Sequence, residues 1–193
     1  MSELVMCVSS EVVASLGLGT GFTPFSEEAW KRLMAPENIS FQPRDTVETD
    51  FRYKQIIPYC VLRKGDQIFN FWRSGTEKRL TGKRCIGVGG HITVDDHHQD
   101  PEETYLNGCR RELEEEVIIS GSHKIETFGF VNYDWDDVGK VHLGVVEIVD
   151  LIGDAEPREE TQGGEFTSLS ELFLHQEDCE RWSQFVLRAL VQQ

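Results

Sequence analysis

The chain has 193 residues and a mass of 22.1 kDa, enough for one well-buried core and too little for two full catalytic domains. Asp+Glu 34 against Lys+Arg 19 gives a formal charge of -15, a field that repels nucleic-acid backbones and anionic membranes, so neither is expected as a partner. A small polyphosphate would be repelled too unless divalent cations or a local Lys/Arg cluster intervened.

The five cysteines (Cys7, Cys60, Cys85, Cys109, Cys179) are odd in number and widely spaced, without a Cys-x-x-Cys pair. They read as reduced thiols. No basic residue precedes the first apolar stretches, and no run approaches the ~18 apolar residues of a spanning helix. A cytoplasmic location is the expectation.

In chain order, Leu4 to Val8 has the β-branched composition of a buried strand, and Ser10 to Leu16 reads as a short helix ended by Gly17. Gly17-Leu18-Gly19-Thr20-Gly21 reads as a loop, because Phe22 stands where a nucleotide-binding loop needs glycine. Ser26 caps a helix through Met34, with Phe25 and Trp30 as a hydrophobic staple, and Pro36 ends it. The segment 1–50 is read as an N-terminal extension that covers a substrate cleft or forms a homodimer interface, and 51–193 as the main domain. Gln55 to Arg63 and Gln67 to Arg73 form a hairpin across Lys64-Gly65-Asp66, with Pro58 favouring an edge or a bulge. Lys83 to Ile92 is a glycine-punctuated strand or loop. A helix from Pro101 to Val117 follows, then strands Ile125 to Asn132 and Lys140 to Leu151 around an aromatic-acidic loop, a short helix capped by Ser168, and a closing amphipathic helix from Glu180 to Val191. This order suggests an α+β or α/β architecture with a mixed sheet.

The helix after Asp100 carries the chemistry. Asp100 as N-cap, Pro101 in the first turn and Glu103 in a capping box specify its start. Leu106, Cys109, Leu113 and Val117 fall within about one 80° stripe facing the core. Glu112, Glu115 and Glu116, spaced i, i+3, i+4, crowd an adjacent face, at a cost of ~0.2–0.5 kcal/mol per like-charged pair on a bare helix. Such an oxygen-only cluster suits Mg²⁺ or Mn²⁺ better than zinc. Gly108 lies on the same side, open to a close approach by the Gly89-Gly90 turn, whose carbonyl would complete the shell. From helix geometry alone, a solvated acidic face carries equal weight.

Gly90, Glu103, Arg111, Glu112, Leu113, Glu115, Glu116 and Ile119 together resemble the box of the Nudix hydrolases, G-x5-E-x7-R-E-U-x-E-E-x-G-U, where U is a bulky aliphatic residue. Two positions depart from it: twelve residues rather than five separate Gly90 from Glu103, and Ile118 replaces the last glycine. With flanking strands the resemblance covers about residues 51 to 193.

The resemblance implies a Nudix fold, an α/β/α sandwich with a mixed sheet, here with an N-terminal extension. It implies divalent-metal ligation by Glu112, Glu115 and Glu116 with the Gly90 carbonyl, and an Arg111 that orients a carboxylate. Glu103 lies half a turn from Glu112 and suits capping or an outer-sphere contact. Nudix enzymes often add a late-loop carboxylate; Glu160 is the candidate, with a solvated acid as the plainer reading. Catalytic roles thus fall to Arg111, Glu112, Glu115 and Glu160. Lys78, Arg79, Lys83 and Arg84 form the main basic cluster, placed to receive substrate phosphates or equally to be a solvated strand end. Asp95-Asp96-His97-His98 reads as a solvated loop. Phe51, Tyr53, Trp72, Tyr133 and Trp135 are read mainly as sheet packing, with base stacking as the alternative. The implied activity is Mg²⁺- or Mn²⁺-dependent hydrolysis of a phosphoanhydride in a nucleoside diphosphate linked to another moiety. A catalytically silent binding module and a diphosphate isomerase using Cys85 are the alternatives.

Overall fold

The computed structural model describes residues 2–73, 82–159, 161 and 163–193. In chain order the elements are β1 (Leu4–Ser9), α1 (Ser10–Ser15), β2 (Gly21–Pro24), α2 (Glu27–Leu33), β3 (Ile39–Pro43), α3 (Arg44–Val47), β4 (Tyr53–Lys64), β5 (Gln67–Trp72) and β6 (Arg84–Cys85). There follow α4 (Pro101–Glu116), β7 (Val117–Ser120), β8 (His123–Asn132), α5 (Asp137–Lys140), β9 (His142–Leu151), β10 (Asp154–Pro157), β11 (Glu165–Ser168), α6 (Leu169–Leu174) and α7 (Arg181–Val191). The principal sheet runs β11-β5-β4-β9-β8-β2, and β1 joins it by pairing with β4 and β3. Among the described strands β4 and β9 form a parallel ladder, from Gln55 opposite His142 to Arg63 opposite Asp150, and the other ladders are antiparallel.

Two helices cover opposite faces, as the pleat of β9 makes plain. Glu147 points to α4, accepting the Tyr105 hydroxyl at 2.8 Å. Gly144, three residues earlier and therefore on the other face, lies under Trp182 of α7, where an added Cβ would come within 2.9 Å of the indole. Adjacent β4 residues repeat the division: Cys60 meets Cys109 of α4, and Tyr59 meets Trp182. The result is an α/β/α sandwich with a mixed sheet.

The first 50 residues share this core. Cys7 pairs with Gln55 of β4, and Phe22 of β2 with Val131 of β8. Trp30 stacks edge-on against Tyr105 at 5.1 Å while keeping its staple contact with Phe25 at 6.5 Å. The first strand, α1 and α2 match the sequence expectation, whereas α3 does not appear in it. The strands β2 and β3 do not appear in it, because four- and five-residue runs broken by Gly and Pro have no period of their own; pairing makes them strands.

Pro58 corrects the edge-or-bulge expectation, since it lies in a central strand. Gln55 donates its N–H toward β9, to Val141 O, whereas Cys60 donates to the opposite side, to Val88 O. Pro58 shares the parity of Cys60. Its missing donor therefore faces a gap in the ladder, after pairing with β1 ends at Gln55 and before pairing with β5 begins at Arg63. The Gly89-Gly90 turn fills that gap. Gly89 has φ 143 and its Cα lies over the Pro58 carbonyl, so no side chain fits there. All five cysteines are buried free thiols. Among the described residues no helix is long and apolar enough to cross a membrane.

Candidate active site

Asp100 caps α4 by accepting the Glu102 N–H at 3.0 Å. Glu103 closes no capping box and is exposed; the box forms upstream, between Thr93 and Asp96, on a short 3-10 turn. Cys109, Leu113 and Val117 are buried as the apolar stripe requires, together with Tyr105. Gly108 abuts Ile92 and Asp96, not the Gly89-Gly90 turn, since an added Cβ would lie 2.8 Å from Ile92. Gly90 is the residue pressed on the glutamates: an added Cβ there would meet Glu112 Oε2 at 2.5 Å.

The organising group is Arg111. It donates Nε–H to Asp96 Oδ1 and Nη2–H to Asp96 Oδ2, both at 2.8 Å, and Nη2–H again to the His91 carbonyl at 2.9 Å. Nη1 donates to Glu112 Oε1 at 2.8 Å and to Glu115 Oε2 at 3.2 Å. Every guanidinium N–H is thus committed, and one cation offsets three acids. Burial raises the Asp96 carboxyl, but the Arg111 hydrogen bonds and the Thr93 N–H reverse this, and its pKa is lowered. At Glu112 burial prevails over the Arg111 hydrogen bond and raises the pKa.

Asp96 overturns the expectation of a solvated loop. It is 6% exposed and is the bidentate partner of Arg111. A signal was present: five residues separate Gly90 from Asp96, the spacing of the box, so aspartate takes the place assigned to Glu103 and the extra residues fall after it. Ile118 likewise needs no glycine conformation, because the chain passes directly from α4 into β7, paired with β10, with Val117 already extended at φ -140.

Glu112 and Glu116 flank the Gly89-Gly90 turn. Glu116 Oε1 accepts the Gly89 N–H at 3.2 Å while Glu112 Oε2 rests against Gly90. Their oxygens and the turn's carbonyls make a donor set suited in kind to a hard divalent cation. Among the described residues no three acid, histidine or cysteine side chains are gathered tightly enough to hold an ion as they stand. Glu115, its side chain 59% exposed, has room to leave Arg111 and complete such a set.

These glutamates open on a cleft of about 1270 Å³. Arg44, Arg73, Lys83 and Arg181 line it as well, bringing cations from four separate parts of the chain into an acidic molecule. Arg73 has a buried Nε without a hydrogen-bond partner among the described residues. Sequence reading missed Arg44, Arg73 and Arg181, which belong to no motif. Of the basic cluster, Lys83 lines the cleft, whereas Arg84 pairs with Glu165 at 3.0 Å and covers the Trp72 ring. Lys78, Arg79 and Glu160 lie outside the described residues. His91 and His142 line the same wall with rings 5.6 Å apart; burial first, then Arg44 and His142, lower the His91 imidazole to about 3, so it is neutral at pH 7. Cys85 is 0% exposed, gives its S–H to the Gly87 carbonyl, and burial raises its pKa.

No family model matches the sequence. Protein YmaB of Bacillus subtilis (strain 168) is 38% identical over 158 residues, 76% of each chain. The crystal structure of Tm1382, assigned provisionally to the Nudix hydrolases, superposes with a TM-score of 0.84 at 28% identity, covering 98% of this chain and 99% of that one. A bifunctional NMN adenylyltransferase/ADP ribose pyrophosphatase from Francisella tularensis shares the fold at TM-score 0.53 and 14% identity, over 77% of this chain and 43% of its own. Fold, relatives and the Arg111–Glu116 segment agree, and the chain belongs to the Nudix hydrolase family.

Proposed function

We propose that this protein is a pyrophosphohydrolase that splits a phosphoanhydride bond in a nucleoside diphosphate linked to another moiety, with Mg²⁺ or Mn²⁺ held by Glu112, Glu115, Glu116 and the Gly90 carbonyl. The observation that carries this reading is the Arg111 network, which holds Glu112 and Glu115 at the mouth of a cleft lined by four further cations.

When bound, the cation supplies charge neutralisation for the diphosphate and lowers the pKa of water. Arg111 keeps Glu112 and Glu115 apart and aimed, in the manner of a residue that orients metal-binding carboxylates. Arg73, Lys83 and Arg181 receive the phosphate oxygens that the acidic surface would otherwise repel. Glu115, the most exposed of the three glutamates, is placed to take the proton from the attacking water. An isomerase would need Cys85 against substrate, and its burial beneath the cleft wall disfavours that role.

The test is a panel of nucleotide sugars, dinucleoside polyphosphates, nucleoside triphosphates and coenzyme A species with Mg²⁺ or Mn²⁺, followed by product analysis. Cleavage of a diphosphate bond is expected, and Glu115→Gln or Glu116→Gln should lower turnover at least tenfold, ~1.4 kcal/mol in the barrier. Absence of cleavage across the panel by a protein that binds Mn²⁺ and pyrophosphate would point to a silent binding module.

A further inference from the structure

The principal sheet leaves β8 covered on its outer side over only part of its length. β2 takes that side from Gly129 to Asn132, and the Phe25 N–H donates to the Phe128 carbonyl at 3.0 Å. Before that point, among the described residues, His123 to Thr127 pair with β9 alone. The direction of their backbone groups follows from the register. Ile152 N–H donates to the Ser122 carbonyl at 2.9 Å, and directly opposed residues exchange hydrogen bonds in an antiparallel ladder. Lys124 and Glu126 share the parity of Ser122 and turn their backbone groups to β9, so His123, Ile125 and Thr127 direct theirs outward. An open edge of this kind is a template for another strand unless it is blunted.

The side chains on the edge are complementary to themselves. Lys124 and Glu126 lie on one sheet face, 72% and 66% exposed, and meet at 2.6 Å. Ile125 lies on the other face and is also exposed. On the first face a row of alternating charge crosses the sheet: Arg63 of β4 donates to both oxygens of Asp150 of β9 at 2.6 and 2.8 Å, and Asp150 stands opposite Lys124. The row stops at a cation on the open edge, where a further strand would continue it with an acid. A second copy related by a two-fold axis supplies that acid in a single register. Antiparallel pairing must oppose outward-facing residues, so any overlap beyond one residue of this edge puts the axis at Lys124, Ile125 or Glu126. At Lys124 or Glu126 the axis sets like charges directly opposite each other, which is destabilising. At Ile125 it sets Lys124 opposite the partner's Glu126 on both sides of the axis, in the pairs whose side chains approach closest.

We propose that this edge is the interface of an isologous homodimer, in which the β8 strands of two copies pair antiparallel about Ile125 and join the two sheets into one. Ile125 exchanges hydrogen bonds with the partner's Ile125, and His123 with the partner's Thr127. The partner's chain reaches its own Gly121 turn, φ 88, opposite Gly129, where β2 takes over the edge, so the free length matches the paired length. So short an edge makes an interface below the ~1,200 Å² of stable complexes, and the expected dissociation constant is roughly micromolar. The surface is separate from the cleft lining and from residues 1–50, and the proposal does not depend on the hydrolase reading.

Sedimentation velocity of the full chain from ~1 to ~200 µM tests this, at ~0.15 M salt to screen the charge of -15 on each copy. Wild-type protein should pass from monomer to dimer across the range. Lys124→Glu and Glu126→Lys should each weaken the dimer at least tenfold, since either change makes both cross-strand pairs alike in sign. An equimolar mixture of the two variants should dimerise as the wild type does, because each offers the sign that the other lacks; damage to the fold would not be repaired by mixing. A wild-type chain that stays monomeric throughout would overturn the proposal and leave an edge that its charges merely blunt. A dimer that both variants leave intact, or that mixing fails to restore, would overturn it as well and place the contact on another surface.

Discussion

Replacing Asp96 by Asn tests whether the structure identifies the residue that holds Arg111. The pair is bidentate, and the side chains are 5% exposed at Asp96 and 30% at Arg111. Breaking a fully buried pair costs ~3–5 kcal/mol and an exposed one ~0–1 kcal/mol. Intermediate burial, with the loss or weakening of the Thr93 cap, places Asp96→Asn at ~2–3 kcal/mol. Urea denaturation at pH 7 should show this as a lower midpoint with an unchanged slope. Because the folded Asp96 pKa is lowered, the wild-type advantage is present above the unfolded value of 3.8 and should shrink as pH falls below it. Arg111, no longer anchored by Asp96, loses the orientation from which it aims Glu112 and Glu115, so Mn²⁺ affinity measured by calorimetry should fall roughly tenfold to a hundredfold. Glu103→Gln, at an exposed position, should change stability by less than ~0.5 kcal/mol and leave Mn²⁺ affinity as it is. The reasoning is refuted if Asp96→Asn matches wild type in both measurements, or if Glu103→Gln reproduces its losses.

Two further outcomes are expected. Glu147, 2% exposed, has its carboxyl raised to about 7 by burial despite hydrogen bonds from Tyr105 and Thr127. The folded state therefore holds a proton that the unfolded chain releases near 4.5, and this residue's contribution to stability should fall as pH rises from about 4.5 to 7, by ~3 kcal/mol at most. Glu147→Gln should flatten that slope in urea midpoints taken from pH 4 to 8; an unchanged slope would show that Glu147 titrates normally. At the turn, Gly90→Ala displaces only the Glu112 carboxylate, so Mn²⁺ affinity should drop about tenfold with a stability loss below ~1.5 kcal/mol. Gly89→Ala meets the Pro58 backbone at positive φ and should destabilise the fold well beyond that; equal stability of the two variants would show that the turn yields freely.

What the sequence determined by itself is whatever local spacing encodes. The face shared by Glu112, Glu115 and Glu116, the Asp100 cap, the Ser26 cap with its Phe25–Trp30 staple and the Gly65 hairpin all follow from helix period and turn chemistry acting over a few residues. Parallel pairing of β4 with β9 brings together residues nearly ninety positions apart, a register that neither strand encodes alone. Asp96 escaped notice because its partner is fifteen residues away and its pair forms only once α4 has packed beside the 3-10 turn. Arg44, Arg73 and Arg181 became a cleft lining, and Trp135 the edge of a pocket, through the same long-range closure. Isolated cations and aromatics have no local pattern; their position relative to the glutamate helix exists only when the sheet has assembled beneath them.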